Sequence, residues 1–173
     1  MAAGDGLQCL HDKGTWNSLR RYNRPALPEM RDKNGNPHQL LLNQMANEEV
    51  SLQCGGHEMR LPITEADRHW LGEYLILWKL PGGRVQLTLG NKGPEVAALQ
   101  EQLARVNKDD GAEPIVVNSV FDDTLRRQVM AFQSAHGLES DGIAGKETLI
   151  LLNSLAGDAS VPTLRQATNA GTQ

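Results

Sequence analysis

The chain has 173 residues and a formal net charge of −4, which allows one ordinary domain or two small ones and excludes a large multidomain enzyme. Hydrophobic content of 39% and charged content of 22% are globular values, and three Trp, two Tyr and two Phe leave the cores to be built largely from Leu and Val. No basic run supplies the counterion-release attraction that nucleic-acid binding needs, so nucleic acid is not an expected partner.

Residues up to about Pro81 break into short runs that end in turn residues, a grammar that favours antiparallel strands. Arg24 to Met30 is a first strand, interrupted by Pro25 and Pro28, which cannot donate to a ladder. Asp32-Lys33-Asn34-Gly35-Asn36-Pro37 makes a turn, and His38 to Met45 follows as one run. Asn47-Glu48-Glu49 turns the chain into Val50 to Cys54, and Gly55-Gly56 opens a hairpin into Glu58 to Leu61, completing a meander. Thr64 is placed as the N-cap of a short helix through Trp70, Gly72 ends it, and Tyr74 to Trp78 is a strand apolar on both faces.

Pro81-Gly82-Gly83 marks a change of period from two to nearly four. Pro94 opens a helix whose Val96, Leu99, Leu103 and Val106 share a face. Asp122 or Asp123 caps a second helix lined by Leu125, Val129, Phe132 and His136, with Gly137 as its left-handed stop. A third runs from near Gly145 to Gly157, with Thr148, Leu151, Leu152 and Leu155 turned inward, so that three short helices bury a common core. The expected organisation is a β-rich module over residues 1–83, a three-helix domain over 84–157 and a disordered polar tail over 158–173, an α+β chain overall. No stretch approaches the roughly 20 apolar residues that span a bilayer, no secretory signal opens the chain, and it reads as a fragment of something longer.

Residues 89 to 156 resemble the peptidoglycan-binding three-helix domain of bacterial cell-wall proteins. Leu89-Gly90, Gly93, Val96, Leu99-Gln100 and Leu103 match its first helix; Phe121, Val129 and Phe132-Gln133 its second; Gly137-Leu138, Asp141-Gly142, Gly145 and Thr148 the connection that follows. Asp122, Leu125 and Gln128 depart from that pattern, and the connection Lys108 to Val120 is longer than usual, so it is expected to reshape the groove or contact a partner. The resemblance implies a peptidoglycan contact from Gln133, Asp141, Gly142, Gly145, Lys146 and Thr148, with amides at the start of the third helix available to a stem-peptide carboxylate. On residue chemistry alone, Phe132 is core, Gln133 also suits a bridge between helices, and Asp141 an Asx-type loop bond. Gly142 to Thr148 fails the phosphate-loop pattern at its first glycine and its final hydroxyl, which rejects nucleotide binding.

Residues 7 to 80 are similar to the periplasmic module preceding the wall-binding domain in the general secretion pathway protein A family (ExeA type) of type II secretion. Gly6 to Leu10, Trp16, Leu19, Asn23-Arg24-Pro25-Ala26, His38, Trp70-Leu71-Gly72-Glu73-Tyr74 and Leu77-Trp78 carry the similarity. The module looks like the β-rich half of a C39-type, papain-like peptidase in degenerate form. A thiol peptidase needs a thiolate, a histidine and an orienting acid or amide. Here His38 alone is expected to fit, since Cys54-Gly55-Gly56 stands where the acid belongs and Cys9 is out of context. The expectation is a chain without catalytic residues, cofactor or metal, binding peptidoglycan and other secretion proteins (an inner-membrane assembly partner and a secretin) in the periplasm. Any membrane attachment would come through segments outside this sequence, as part of an inner-membrane-anchored protein. A wall or leader-peptide hydrolase and a pure protein scaffold are the alternatives. For Cys9 and Cys54 a disulfide, free thiols, or zinc bound with His11 and His57 remain open.

Overall fold

Side-chain alternation on a pleated backbone and 3.6-residue periodicity divide the chain into two compact units, and the computed structural model describes residues 7–80, 83–107, 117–157 and 161–166. Of the described residues, one unit holds 9–77 and 162–166, and the other holds 7–8 and those within 78–161.

The β-rich unit begins with β1 (Leu7–Lys13) and α1 (Trp16–Tyr22), neither of which the alternation pattern anticipates. Trp16, Leu19 and Tyr22, spaced by three, face inward, Ser18 Oγ accepts from the backbone N–H of Thr15 at 3.2 Å, and Asn23 closes the helix in the left-handed region at φ 52°. Next come β2 (Leu27–Arg31), β3 (Pro37–Gln39), β4 (Leu41–Met45), β5 (Glu49–Cys54) and β6 (His57–Pro62). The single run expected over His38 to Met45 is in fact two strands in different sheets. The chain changes sheets at Leu40, a buried residue whose N–H donates to Pro28 O at 3.3 Å. β4, β5 and β6 do form the expected antiparallel meander, with Cys54 opposite His57 across Gly55-Gly56.

The short helix α2 (Ile63–Ala66) starts earlier and ends sooner than expected, with Pro62 and not Thr64 at its N-cap. Trp70 opens β7 (Trp70–Lys79) instead. Gly72 is therefore no helix stop. It lies inside the strand at φ 95°, where a Cβ would sit 2.7 Å from the carbonyl oxygen of Gly14, whose N–H donates to Gly72 O at 2.9 Å. β7 is also not apolar on both faces in the sense of being covered on both. Trp70, Gly72, Tyr74, Ile76 and Trp78 are buried, while Leu71 and Leu77 are 58% and 50% exposed. The sheets run β1-β7-β2-β3 and β6-β5-β4-β8, where β8 (Arg165–Gln166) pairs with β4 in parallel. Of the tail expected to be disordered, residues 158–160 and 167–173 fall outside the described residues; within 161–166 Leu164 is buried and its N–H donates to Asn23 O at 3.1 Å.

In the helical unit α3 (Pro94–Val106), α4 (Asp123–Ala135) and α5 (Lys146–Leu155) fall where periodicity and caps put them. Asp122 accepts from the Leu125 N–H at 2.8 Å, and Gly137 follows α4 at φ 66°. Val96, Leu99, Leu103, Phe121, Leu125, Val129, Phe132 and Leu152 form the core. The inward face of α5 is rotated relative to expectation: Leu149 and Ile150 are buried with Thr148, Leu151 and Leu152, and Leu155 is 42% exposed. The connection expected to reshape the groove falls, over 108–116, outside the described residues.

The two loops that enter α4 and α5 are built alike. Gln100 Oε1 accepts from Asn118 N at 3.1 Å and Ser119 N at 3.0 Å, and its Nε2 lies 2.9 Å from Asn118 Oδ1 and 3.3 Å from Val120 O. Asn118, Ser119 and Val120 repeat the parts that Asp141, Gly142 and Ile143 play against Gln133. Ser119 even shares the left-handed backbone, at φ 57° against 74° for Gly142. A serine there carries a strain that glycine does not, partly offset by glycine's larger unfolded-state entropy. Ser119→Gly should therefore stabilise the helical unit by about 0.5 kcal/mol, read as a rise in urea midpoint at constant slope.

Candidate functional site

The loop between α4 and α5 is held from the side chain outward. Gln133, at the buried face of α4, is 2% exposed. Its Oε1 accepts from Gly142 N at 2.9 Å; its Nε2 lies 2.9 Å from Asp141 Oδ1, 2.9 Å from Ile143 O and 3.2 Å from Thr148 Oγ1. Two amide hydrogens are shared over three acceptors, so the side chain has no spare donor for a ligand. Asp141 Oδ1 also accepts from Ile143 N at 2.8 Å, the Asx-type bond its position suggests. Gly142 is buried at φ 74°, where a Cβ would lie 2.7 Å from Arg126 Cγ and 3.0 Å from Met130 Cγ. Only glycine lets Arg126 lie across the loop in this way. Ala144 and Leu87 exchange backbone hydrogen bonds, each 3.0 Å, fixing the far side of the loop.

The six residues singled out from sequence are thus brought together, but in two groups. Gln133, Gly142 and Thr148 are buried and bonded to one another or to the loop. Asp141 and Lys146 are exposed and Gly145 half-exposed, and these three line the accessible rim. Gly145 is the N-cap of α5, and no side chain caps that end. Gln100, which sequence reasoning treats only as part of a motif, is the other organising amide of this unit. The signal that could have found it is the recurrence, at different distances, of a helical glutamine followed by Asn/Asp-x-Val/Ile, 18 residues on for Gln100 and 8 for Gln133.

In the β-rich unit His38 does have an acid, which corrects the expectation that none is near. Asp32 Oδ2 lies 3.3 Å from His38 Nε2, six residues upstream and not on the next strand. Hydrogen bonds from the Asn36 side chain, from the backbone of Asn36 and Asn34 and from His38 hold the Asp32 carboxyl well below the usual carboxylate range. The carboxylate is committed to closing the β2–β3 turn. Cys9 lies on β1 and His38 on β3, the two outermost strands of one four-stranded sheet, hence roughly 14 Å apart by strand spacing. No thiolate–imidazole contact can form across it. Cys9 and Cys54 are free and exposed, on strands of different sheets, so the bridge between them is not formed. Among the described residues no three His, Cys, Asp or Glu side chains converge as a metal site, the Cys9/His11 and Cys54/His57 pairs included.

Residues 92–152, which contain the glutamine-clamped Asp-Gly loop and most of the three helices, match the family model described as "Putative peptidoglycan binding domain". Across nearly all of its length the chain is homologous to general secretion pathway protein A. It is 30% identical over 154 residues to that protein of Aeromonas hydrophila, covering 88% of this chain and 27% of the relative. With "Putative general secretion pathway protein A" of Escherichia coli (strain K12) it shares 25% identity over 163 residues, 90% of this chain and 31% of the relative. The chain therefore spans less than a third of the length of these curated relatives. The crystal structure of a periplasmic domain of the EpsAB fusion protein of the Vibrio vulnificus type II secretion system matches with a TM-score of 0.56 at 26% identity. That match covers 87% of this chain and 65% of the other.

Proposed function

We propose that the chain is a non-catalytic region that binds peptidoglycan and other secretion proteins in the periplasm, helping to place a type II secretion apparatus in the cell wall. The observation that carries this reading is the peptidoglycan-binding family match over 92–152, which encloses the whole clamped loop. The similarity to general secretion pathway protein A and to the periplasmic domain of the EpsAB fusion protein supports the secretion setting. In this reading the 1–83 and 84–157 parts divide the work, the helical part holding the wall and the β-rich part meeting proteins.

The wall contact is assigned to the rim of the loop: Asp141, Gly145, Lys146 and the uncapped start of α5, with Gln133, Gly142 and Thr148 holding the loop in shape. Amides at a helix start together with a lysine suit the carboxylates of a stem peptide. The spacing of Cys9 and His38 and the use of Asp32 in a turn support a reading without thiol-peptidase chemistry at these residues.

A sacculus pulldown tests the assignment. Lys146→Glu reverses the charge at the rim without removing any of the hydrogen bonds that hold the loop, and Asp141→Asn keeps an oxygen acceptor for Ile143 N while removing the charge. Lys146→Glu is expected to weaken sacculus binding by about tenfold, the scale of one charge-assisted hydrogen bond. Circular dichroism should remain that of the parent. Folded variants at Lys146 and Asp141 that both bind like the parent would move the wall contact to another surface.

A further inference from the structure

β5 and β6 are joined by the two-residue turn Gly55-Gly56, both glycines lying in the left-handed region at φ 55° and 86°, the backbone of a tight hairpin. The ladder runs without a register shift from Glu49 opposite Pro62 to Cys54 opposite His57. Side-chain alternation therefore places Cys54, His57 and Met59 on one face of the hairpin, the face through which Val50 and Leu52 enter the core. The other face carries Gln53, Glu58 and Arg60, and there Arg60 at 3.5 Å and the Ser51 hydroxyl hold the Glu58 carboxylate. Cys54 is a free thiol, and all three side chains on the first face are exposed, Met59 by 41%. Among the described residues no side-chain hydrogen bond or ion pair engages any of the three.

We propose that this face of the β5–β6 hairpin binds one Cu(I) ion through the Cys54 thiolate, the His57 imidazole and the Met59 thioether. His, Cys, Asp and Glu alone make no triad here, and the third donor is a methionine sulfur. Directly opposite residues such as Cys54 and His57 have Cβ atoms roughly 4.5–5.5 Å apart, and the diagonal from Cys54 to Met59 is roughly 7–8 Å, within reach of long side chains. A thiol, an imidazole and a flexible thioether bridge those spans around one ion with metal–donor bonds of about 2.0–2.3 Å. The donor set chooses the metal. Two sulfurs and a nitrogen with no carboxylate on the face reject calcium, magnesium and manganese, which take oxygen. Structural zinc takes four ligands, whereas thiolate and thioether together suit Cu(I). Binding releases the thiol proton to solvent, so the monovalent ion and the thiolate form a neutral pair. The inference stands on the β-rich unit and does not depend on wall binding by the helical unit.

The test uses the full chain carrying Cys9→Ser, which removes the other exposed thiol, titrated without oxygen with Cu(I) held by the coloured chelator bicinchoninate. The chain should take one ion from the chelator, and Cys54→Ser in that background should take none. His57→Gln and Met59→Leu should each bind about tenfold more weakly, the least that loss of an inner donor is expected to cost. Their circular dichroism should be that of the parent, since both side chains are exposed. Binding by either variant as tight as the parent's would mean uptake by a lone thiol and overturns the proposal. Copper K-edge absorption of the loaded Cys9→Ser chain gives a reading that needs no further variant. Two sulfurs and one nitrogen around the ion are expected, and a single sulfur overturns the site even where a variant has lost its fold.

Discussion

Replacing Trp70 by alanine should remove about 4 kcal/mol from the β-rich unit, within the range measured for deleting a large buried aromatic. The ring is 6% exposed, its centroid lies 4.2 Å from that of Trp16 and 6.4 Å from that of Tyr74, and its Nε1 donates to Glu73 O at 2.8 Å. Trp16 in turn donates to Asp67 at 2.6 Å, so one side chain ties α1, the turn after α2 and β7 together. A unit of this size has a total stability of only about 4–10 kcal/mol, so most of it would go. The helical unit has its own core and should keep its cooperative transition. Urea unfolding of Trp70→Ala is therefore expected to separate into an early, partial loss of tryptophan fluorescence from Trp16 and a later loss of helical ellipticity. Coincident loss of both signals at a single lowered midpoint would instead mean that the two parts fold as one.

The contrast between the two units explains what could be read in advance. α3 to α5 each carry an uninterrupted 3.6-residue stripe, and Pro94, Asp122 and Gly137 mark their ends by local chemistry alone, so their positions follow from the chain itself. β1 has no such stripe: Cys9, His11 and Lys13 are exposed and Leu10 is buried, an alternation that becomes legible only once β7 lies beside it. The break at Leu40 is a change of sheet, a tertiary event for which the local sequence Gln39-Leu40-Leu41 has no turn signal. Trp70 fits a helical face after Thr64 as well as the first inward position of a strand, and the pairing of Met30 with Trp70 decides for the strand.

The candidate site divides in the same way. The glycines at 137 and 142 are predictable from their need for a left-handed backbone, whereas the pairing of Asp32 with His38 arises from a turn that curls the carboxylate toward the following strand. The role of Gln133 is not local at all, since its four partners lie eight to fifteen residues downstream. Its near copy at Gln100 argues that these amides were placed to shape loops. Ligand chemistry is then left to whatever the loops expose, which is why buried Gln133, Gly142 and Thr148 and accessible Asp141 and Lys146 have different tests.

Replacing Gln133 by alanine should cost the helical unit about 3 kcal/mol, because the substitution strands the Gly142 N–H, one carbonyl and the Thr148 hydroxyl in a region without solvent. For a unit of about 75 residues that corresponds to a fall of roughly 15 °C in melting temperature. Gln133→Glu sharpens the test. It keeps an acceptor for Gly142 N but sets a carboxylate against Asp141 Oδ1, Ile143 O and Thr148, so desolvation and like charge raise its folded-state pKa above the unfolded glutamate value of about 4.3. A raised pKa means that the folded state binds the proton more tightly than the unfolded state does. The destabilisation should thus be full above the folded pKa and diminish as pH falls through it, the protonated acid then donating where the amide did. Thermal melts of Gln133→Glu at pH 7.5 and 5 should converge toward the parent at the lower pH, and those of Gln133→Ala should not. A Gln133→Ala variant that loses less than about 1 kcal/mol would show that the loop is held by Leu87, Ala144 and the glycine geometry, and that the glutamine is dispensable to its shape.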